Sequence, residues 1–423
     1  RGFRTVVLEA DPHLASGASG GNSGLGCTGY DAPQGSLERR LLRRSLVLHQ
    51  NLYRQLGLSF EHVRKCGALV VAWTDAELAA LPSVLNENLE AGDTEAELLD
   101  AEALRELEPS LGDRARGAVW LPREAVVESW LVPTALAECT RRLGGEIRTS
   151  ARVCDASRVE TPIAWGKEKR GWKLNVEGCS PVSARVVVNC AGLFGDHVEA
   201  YRSPPTFRIQ PRKGEFAVLA APKDIVLPEH IIEPVPTEFT KGVIIWKTLY
   251  GHVVVGPTAE DVESRTDRQP NPQTVDSLVA LARSRVPGLE NAQLVGSYAC
   301  LRPATQHRDY QIQAFEEDNW ISCGGIRSTG LTACTGIGEY VADLHDTLIG
   351  RPVNRHYAEV APPYSPVAVD AGVTLAPAPS LAELAGSMQE RGDGTVIVWD
   401  EPRRVTHPLS AWGMKHFKHD QLE

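Results

Sequence analysis

The 423-residue chain has no apolar run approaching the ~18 residues that carry a helix across a bilayer. It also has no positive excess. Lys and Arg number 44 against 54 Asp and Glu, for a net charge of -10. That balance disfavours general nucleic-acid binding, which clusters Lys and Arg against phosphate. Its nine cysteines, at 27, 66, 139, 154, 179, 190, 300, 323 and 334, contain no C-x-x-C pair and are odd in number. The scatter argues against a zinc site, an iron–sulfur cluster or a disulfide framework. It predicts small buried hydrophobes in a reducing compartment. No metal-ligand set and no internal repeat stand out. Any targeting segment would lie upstream of residue 1, so cytoplasmic and mitochondrial placements both stay open.

Hydrophobic residues make up 42% and charged residues 23%, as in a soluble protein with sizeable cores, and the length suits two or three domains. Thr5-Val-Val-Leu-Glu9 is a short β-branched run closing on an acid. Residues 14–36 are rich in Gly, Ser and Ala, as in a linker or in a loop whose backbone must approach something closely. Helical spacing runs from Ser36, a candidate N-cap, to Leu56. Helices are predicted over residues 75–89, 100–107, 131–143 and 270–286, and again after Gly324-Gly325 to Ile349. Strands are predicted at 68–73, 146–155, 172–176, 182–190, 207–220, 231–235, 243–246, 252–256 and 319–323. Alternating strands and helices at both ends imply an α/β sheet. The strand-rich middle implies an antiparallel sheet in a second domain. Residues 351–380 carry many Pro and Ala, as in a linker. The last stretch holds a short helix, a hairpin turning at 392–394, and a His/Lys-rich end.

Three segments carry chemistry together. In dinucleotide-binding βαβ units, the second strand ends in an acid that holds the ribose hydroxyls. Glu9 matches that position, followed by the small-residue loop through Ser19, Gly21, Asn22 and Ser23. No strand and glycine turn precede it in this sequence. The second segment, Val186-Val-Val-Asn-Cys-Ala191-Gly192, is an apolar strand running into a small-residue turn. The third, Ile321-Ser-Cys-Gly-Gly325-Ile-Arg-Ser-Thr-Gly-Leu-Thr332, is strand, glycine turn and helix start. Free N–H groups at such a start suit an anion. Gly336 and Gly338 offer close packing within that helix. Each segment alone is weak; their order and strand context are specific.

On these residues the chain resembles the FAD-dependent oxidoreductases of the D-amino-acid-oxidase-like (DAO) family. It is most similar to the glycerol-3-phosphate dehydrogenase branch, with L-2-hydroxyglutarate oxidase as a near relative. The resemblance covers about residues 1–350. It rests on Gly20-Gly-Asn-Ser-Gly24, Gly29-Tyr-Asp31, Pro33-Gln-Gly-Ser-Leu37, Pro211-Arg-Lys-Gly-Glu215, Leu301-Arg-Pro-Ala-Thr305 and, most diagnostically, Gly325-Ile-Arg-Ser-Thr-Gly-Leu-Thr332. It implies an α/β fold: a Rossmann-like FAD-binding domain, truncated at its N-terminus, an antiparallel β-sheet substrate domain, and a small C-terminal appendage. The FAD-binding parts would be 1–56, 129–204 and 298–350. The substrate domain would be 57–128 and 205–297, with 351–423 as linker and C-terminal unit. Carried over, Glu9 holds the adenosine ribose. Ser19, Gly21, Asn22 and Ser23 line pyrophosphate and flavin. Val153 meets the adenine, and Ala191 and Gly192 the cofactor edge. Gly325, Ile326, Ser328, Thr329, Gly330, Leu331 and Thr332 face the isoalloxazine.

The resemblance further implies hydride transfer from a small anionic alcohol, glycerol 3-phosphate or a 2-hydroxy acid, to flavin N5. Electrons would pass on to oxygen or a quinone. Arg302 and Arg327 are the candidate anion forks, with Lys213 a weaker one. Where the family carries a His near the flavin, this chain has Cys27, a poorer base; His307 is a substitute, and Tyr30 a pocket wall. Two alternatives stand beside this reading: an amine or amino-acid oxidase on the same fold, and a non-catalytic scaffold that has lost FAD.

Overall fold

The computed structural model describes residues 2–165, 168–220, 225–236, 242–351, 353 and 372–417. Two parallel strand pairs carry the predicted nucleotide-binding ends. Val6–Leu8 runs beside Glu146–Arg148, with Val6 opposite Glu146 and Leu8 opposite Arg148. Val187–Asn189 runs beside Trp320–Gly324, whose other edge takes Gln311–Phe315 antiparallel. The meander of Val153–Trp165, Glu168–Val176 and Val182–Ala184 covers both pairs. Its fully buried Trp172 packs edge-on against Trp320 at 4.9 Å between ring centroids. Leu8, Val153, Val187 and Trp320 share that cluster, so one apolar layer joins the opening strand to the strand before the last long helix.

A nine-stranded sheet forms the second layer. Ala68–Ala72 lies buried in its middle, parallel to Ile231–Pro234 and antiparallel to Gly117–Leu121. Alternation along this strand feeds two cores, because successive strand side chains point to opposite faces. Leu69 and Val71 meet the helix Pro272–Arg285, while Ala68, Val70 and Ala72 face Tyr30, Tyr298 and Leu409.

Helix Leu37–Gln55 starts where the sequence predicts. Ser36 accepts the Arg39 N–H as N-cap, and Leu41, Leu42, Leu48 and Leu52 are buried. It crosses Gly330–Leu348 at Gly336. A Cβ there would sit 2.3 Å from the Leu41 carbonyl oxygen, and the Gly336 N–H donates to Ser45 Oγ at 2.8 Å. Gly338 has nothing within 4 Å and takes no part in close packing. The cysteines divide. Cys139, Cys300 and Cys323 are buried as expected, but Cys154, Cys179 and Cys190 are exposed.

Residues 372–417 share a core with the rest of the chain. Leu381, Leu384, Met388, Val396, Val398 and Met414 pack against Leu56, Trp130 and Leu131. Backbone bonds tie the seam: Leu375 N–H to Gln55 O and Ala378 N–H to Gly57 O, both at 2.8 Å. Trp130 Nε1 donates to Arg404 O at 3.0 Å. The hairpin here, Thr395–Val398 with Glu401–Arg404, turns at Trp399 and Asp400, both at positive φ. The expected turn at 392–394 is instead the stop of helix Leu381–Arg391, with Gly392 as its left-handed cap. Most of the predicted linker lies outside the described residues.

Candidate functional site

The start of the Gly330–Leu348 helix lacks a side-chain cap. Its N-cap, Thr329, is committed elsewhere: Thr329 Oγ1 donates to Glu38 Oε1 and lies 2.6 Å from the buried Tyr310 hydroxyl. The first N–H groups of a helix have no intrahelical partner, and those of Gly330, Leu331 and Thr332 meet no side-chain cap among the described residues. Gly325 turns into this segment at φ +70°. Cys27 stands beside it, with its N–H donating to Thr332 Oγ1 at 3.1 Å and Sγ at 3.7 Å from the same oxygen.

The loop before it is internally stapled. Asn22 Oδ1 accepts the Gly24 N–H at 2.7 Å, and Asn22 Nδ2 donates to Ser19 O at 2.7 Å. A Cβ on Gly20 would lie 1.9 Å from Ala15 O, and one on Gly21 3.0 Å from Cys300 Sγ. Only glycine permits this fold of the loop onto itself and onto strand Gln293–Thr305. Gly24-Leu-Gly-Cys-Thr-Gly29 happens to spell G-x-G-x-x-G. Leu25–Gly26 is a strand antiparallel to Ala125–Val127, so this stretch is not the strand-to-helix phosphate turn that such a motif requires.

Glu9 continues the first parallel pair, its N–H donating to Arg148 O at 2.8 Å. One carboxylate oxygen takes the Asp11 N–H, and partial burial raises the carboxyl's pKa. Val153 points into the shared apolar layer. Ala191 N–H bonds Asn189 Oδ1, and Gly192, at φ +53°, has no atom within 4 Å of where a Cβ would stand. That open space beside a strand end lets a ligand approach the backbone.

Each cationic candidate has a partner within the chain. Half-buried Arg302 donates to Thr258 O and packs over Gly214. Arg327 lies 3.7 Å from Glu38. Lys213 bonds Gln269 O and sits 3.7 Å from buried Glu215. His307 is exposed, with Nε2 3.4 Å from Thr206 O. Tyr30 is buried in the apolar cluster of Ala68, Val70 and Ala72.

A buried polar cluster that no sequence motif signals gathers around Glu128, next to Ser23 and Gly24. Glu128 is fully buried and accepts from the Tyr250 hydroxyl at 2.8 Å, from Ser410 Oγ and from Trp130 N–H. Burial drives its pKa up, because no cation compensates. These groups line a cavity of about 20 Å³, room for one water, together with Ser23, Gly24, Ser129, Thr248 and His407. The nearest sequence signal was His407-Pro408, a helix start with Pro at its first position. Nothing in it says where that start docks.

The arrangement fits a flavin dinucleotide on this chain's own features. Glu9 has a carboxylate oxygen to spare at a strand end, Gly192 leaves open backbone, and the uncapped amides of residues 330–332 suit an electron-rich ring edge. Comparison with known proteins agrees. The FAD-dependent oxidoreductase (DAO) family model matches residues 1–344. Glycerol 3-phosphate dehydrogenase of Caloramator mitchellensis is 27% identical over 343 residues, 81% of this chain and 68% of that protein. L-2-hydroxyglutarate dehydrogenase of Escherichia coli K12 is 28% identical over 259 residues, 60% of this chain and 58% of that protein. Among solved structures, glycine oxidase from Bacillus cereus superposes with a TM-score of 0.71 at 21% identity, covering 83% of this chain and 92% of that one. L-α-glycerophosphate oxidase from Mycoplasma pneumoniae, solved with FAD bound, gives 0.71 at 22%, covering 81% and 88%. With four fifths of its length matched, and with enzymes among its relatives, this chain belongs to the DAO family of FAD-dependent oxidoreductases.

Proposed function

We propose that this enzyme oxidises a small anionic secondary alcohol, glycerol 3-phosphate or a 2-hydroxy acid. The observation that carries the reading is the uncapped start of helix Gly330–Leu348, with Cys27 beside it, following a strand whose Trp320 shares one apolar cluster with Leu8, the neighbour of Glu9. FAD, when bound, supplies the hydride acceptor at N5. The chain does the rest. Glu9 holds the ribose; residues 19–23, Ala191 and Gly192 border the cofactor; and the amides of residues 330–332 stabilise negative charge on the ring. Arg302 and Arg327 are the candidates for the substrate anion. Two relatives at 27–28% identity are named for alcohols that carry a hydroxyl near a phosphate or carboxylate, which favours this class. The electron acceptor, oxygen or a quinone, follows from turnover assays.

The test is anaerobic. The FAD-reconstituted chain is mixed separately with glycerol 3-phosphate, L-2-hydroxyglutarate and glycine, and the flavin absorbance is followed. Bleaching by one of the two alcohols is expected. Bleaching by glycine alone would move the enzyme to the amino-acid oxidases, and a chain that takes up no flavin would return the scaffold reading.

A further inference from the structure

The register between the parallel strands Val187–Asn189 and Trp320–Gly324 runs to Asn189 opposite Ser322. One step further along both chains, Cys190 meets Cys323. Neighbouring strands lie about 4.7–4.9 Å apart, within the roughly 4.4–6.8 Å between Cα atoms that a disulfide spans. The thiols are already in contact, with Cys323 donating a hydrogen bond to the Cys190 sulfur. They differ in reach. Cys323 is buried in the cluster of Leu41, Ile312 and Ile321. Cys190 is exposed, as is Val188 on the same face of its strand. They differ in acidity too. The shared hydrogen bond lowers the pKa of Cys190 against its desolvation, and it raises that of Cys323. Burial and the negative charge of Glu199 raise Cys323 further.

We infer that Cys190 and Cys323 form a modification site, a dithiol that a hydroperoxide closes to a disulfide, with Cys190 attacking and Cys323 resolving. The thiolate is the attacking form, and Cys190 is the exposed and more acidic of the two. Its sulfur attacks one oxygen of hydrogen peroxide, the simplest such oxidant. An S–O bond forms, the O–O bond breaks, and the departing hydroxide takes a proton to become water. Cys190 is then a sulfenic acid, oxidised by two electrons. With its negative charge gone, the hydrogen bond that kept the proton on Cys323 is lost. The Cys323 sulfur attacks the Cys190 sulfur, an S–S bond forms and the S–O bond breaks. Hydroxide leaves with the Cys323 proton as a second water. The disulfide joins the two strands just before Ala191-Gly192 and Gly324-Gly325, the turns assigned to the flavin. This chemistry is independent of which substrate the enzyme oxidises.

The test treats the full, reduced chain with hydrogen peroxide and maps its peptides by mass spectrometry. Trypsin releases Cys190 within residues 186–202 and Cys323 within 309–327, and neither peptide holds another cysteine. Expected is the joint disappearance of the two free peptides and the appearance of one linked pair. That pair is two hydrogens lighter than the sum of its parts and is reopened by dithiothreitol. Cys323→Ser should stop at a Cys190 sulfenic acid that dimedone captures. Cys190→Ser should leave Cys323 a free thiol under the same treatment. Four results overturn the inference: both thiols left unmodified, Cys190 carried to sulfinic acid while Cys323 stays reduced, Cys190 linked to a different cysteine, or Cys323 oxidised as fast in Cys190→Ser as in wild type. Wild type alone decides the first three, so a variant that fails to fold leaves the outcome readable.

Discussion

Glu38 holds Thr329 away from the helix that Thr329 begins. The Thr329 hydroxyl donates to Glu38 Oε1 at 2.6 Å, across 291 positions of sequence, and this keeps the helix start uncapped. In Glu38→Ala the freed hydroxyl can turn to cap the first turn, an interaction worth about 0.5–2 kcal/mol. That competes with the flavin for the same amides. FAD should then bind roughly 3- to 30-fold more weakly, at about 1.4 kcal/mol per tenfold. Fluorescence titration of the apo-chain measures it; equal affinity would show that those amides do not touch the cofactor.

Gly336 and Gly338 are two positions apart and should respond with opposite sign. At Gly336 a methyl would meet Leu41 O at 2.3 Å, so Gly336→Ala must push the two long helices apart at about 1–3 kcal/mol. At Gly338 nothing lies within 4 Å, so Gly338→Ala gains helix propensity of about 1 kcal/mol. Urea unfolding of the two variants decides it.

What could be read before folding were the elements whose own sequence closes the argument. Ser36 with its periodic leucines marked a helix start, and the helix predicted over 270–286 lies at Pro272–Arg285. The Glu9 strand and the 325–332 turn were legible because strand, glycine and helix start follow one another locally. The Glu128 cluster was not, because its partners stand 122 and 282 positions away and none belongs to a motif. The Trp399-Asp400 turn was hidden because neither residue is the usual choice for positive φ. Gly392–Gly394, the more conventional signal, drew the turn to the wrong place.

His49 reports on acid stability. It is half-buried, stacks on Tyr53 at 4.4 Å, and desolvation lowers its pKa from 6.5 to about 4. The unfolded chain therefore binds the proton more readily, and stability falls as pH drops from 6.5 towards 4. The full loss is about 3 kcal/mol for this ring, at 1.36 kcal/mol per pKa unit. His49→Phe keeps the stacked ring without the titration. Its stability relative to wild type, read by urea unfolding, should improve as the pH is lowered from 7 to 5; a constant difference would mean that the ring titrates alike in the folded and unfolded chains.

Glu128 runs the other way. Its carboxyl is buried without a cation, and the folded state raises its pKa above the ordinary 4.5. The folded chain thus holds this proton more tightly than the unfolded chain does. The stabilisation is complete below pH 4.5 and is lost as pH rises through the raised value. Glu128→Gln never ionises, and its carbonyl oxygen still accepts from Ser410 while Tyr250 can turn to accept from the amide. The variant should gain thermal stability over wild type at pH 8 and show little gain at pH 4, with the gain growing steadily between. A gain independent of pH would mean that Glu128 titrates alike in both states. A loss at pH 8 would mean that the two hydroxyl donors hold it as a carboxylate.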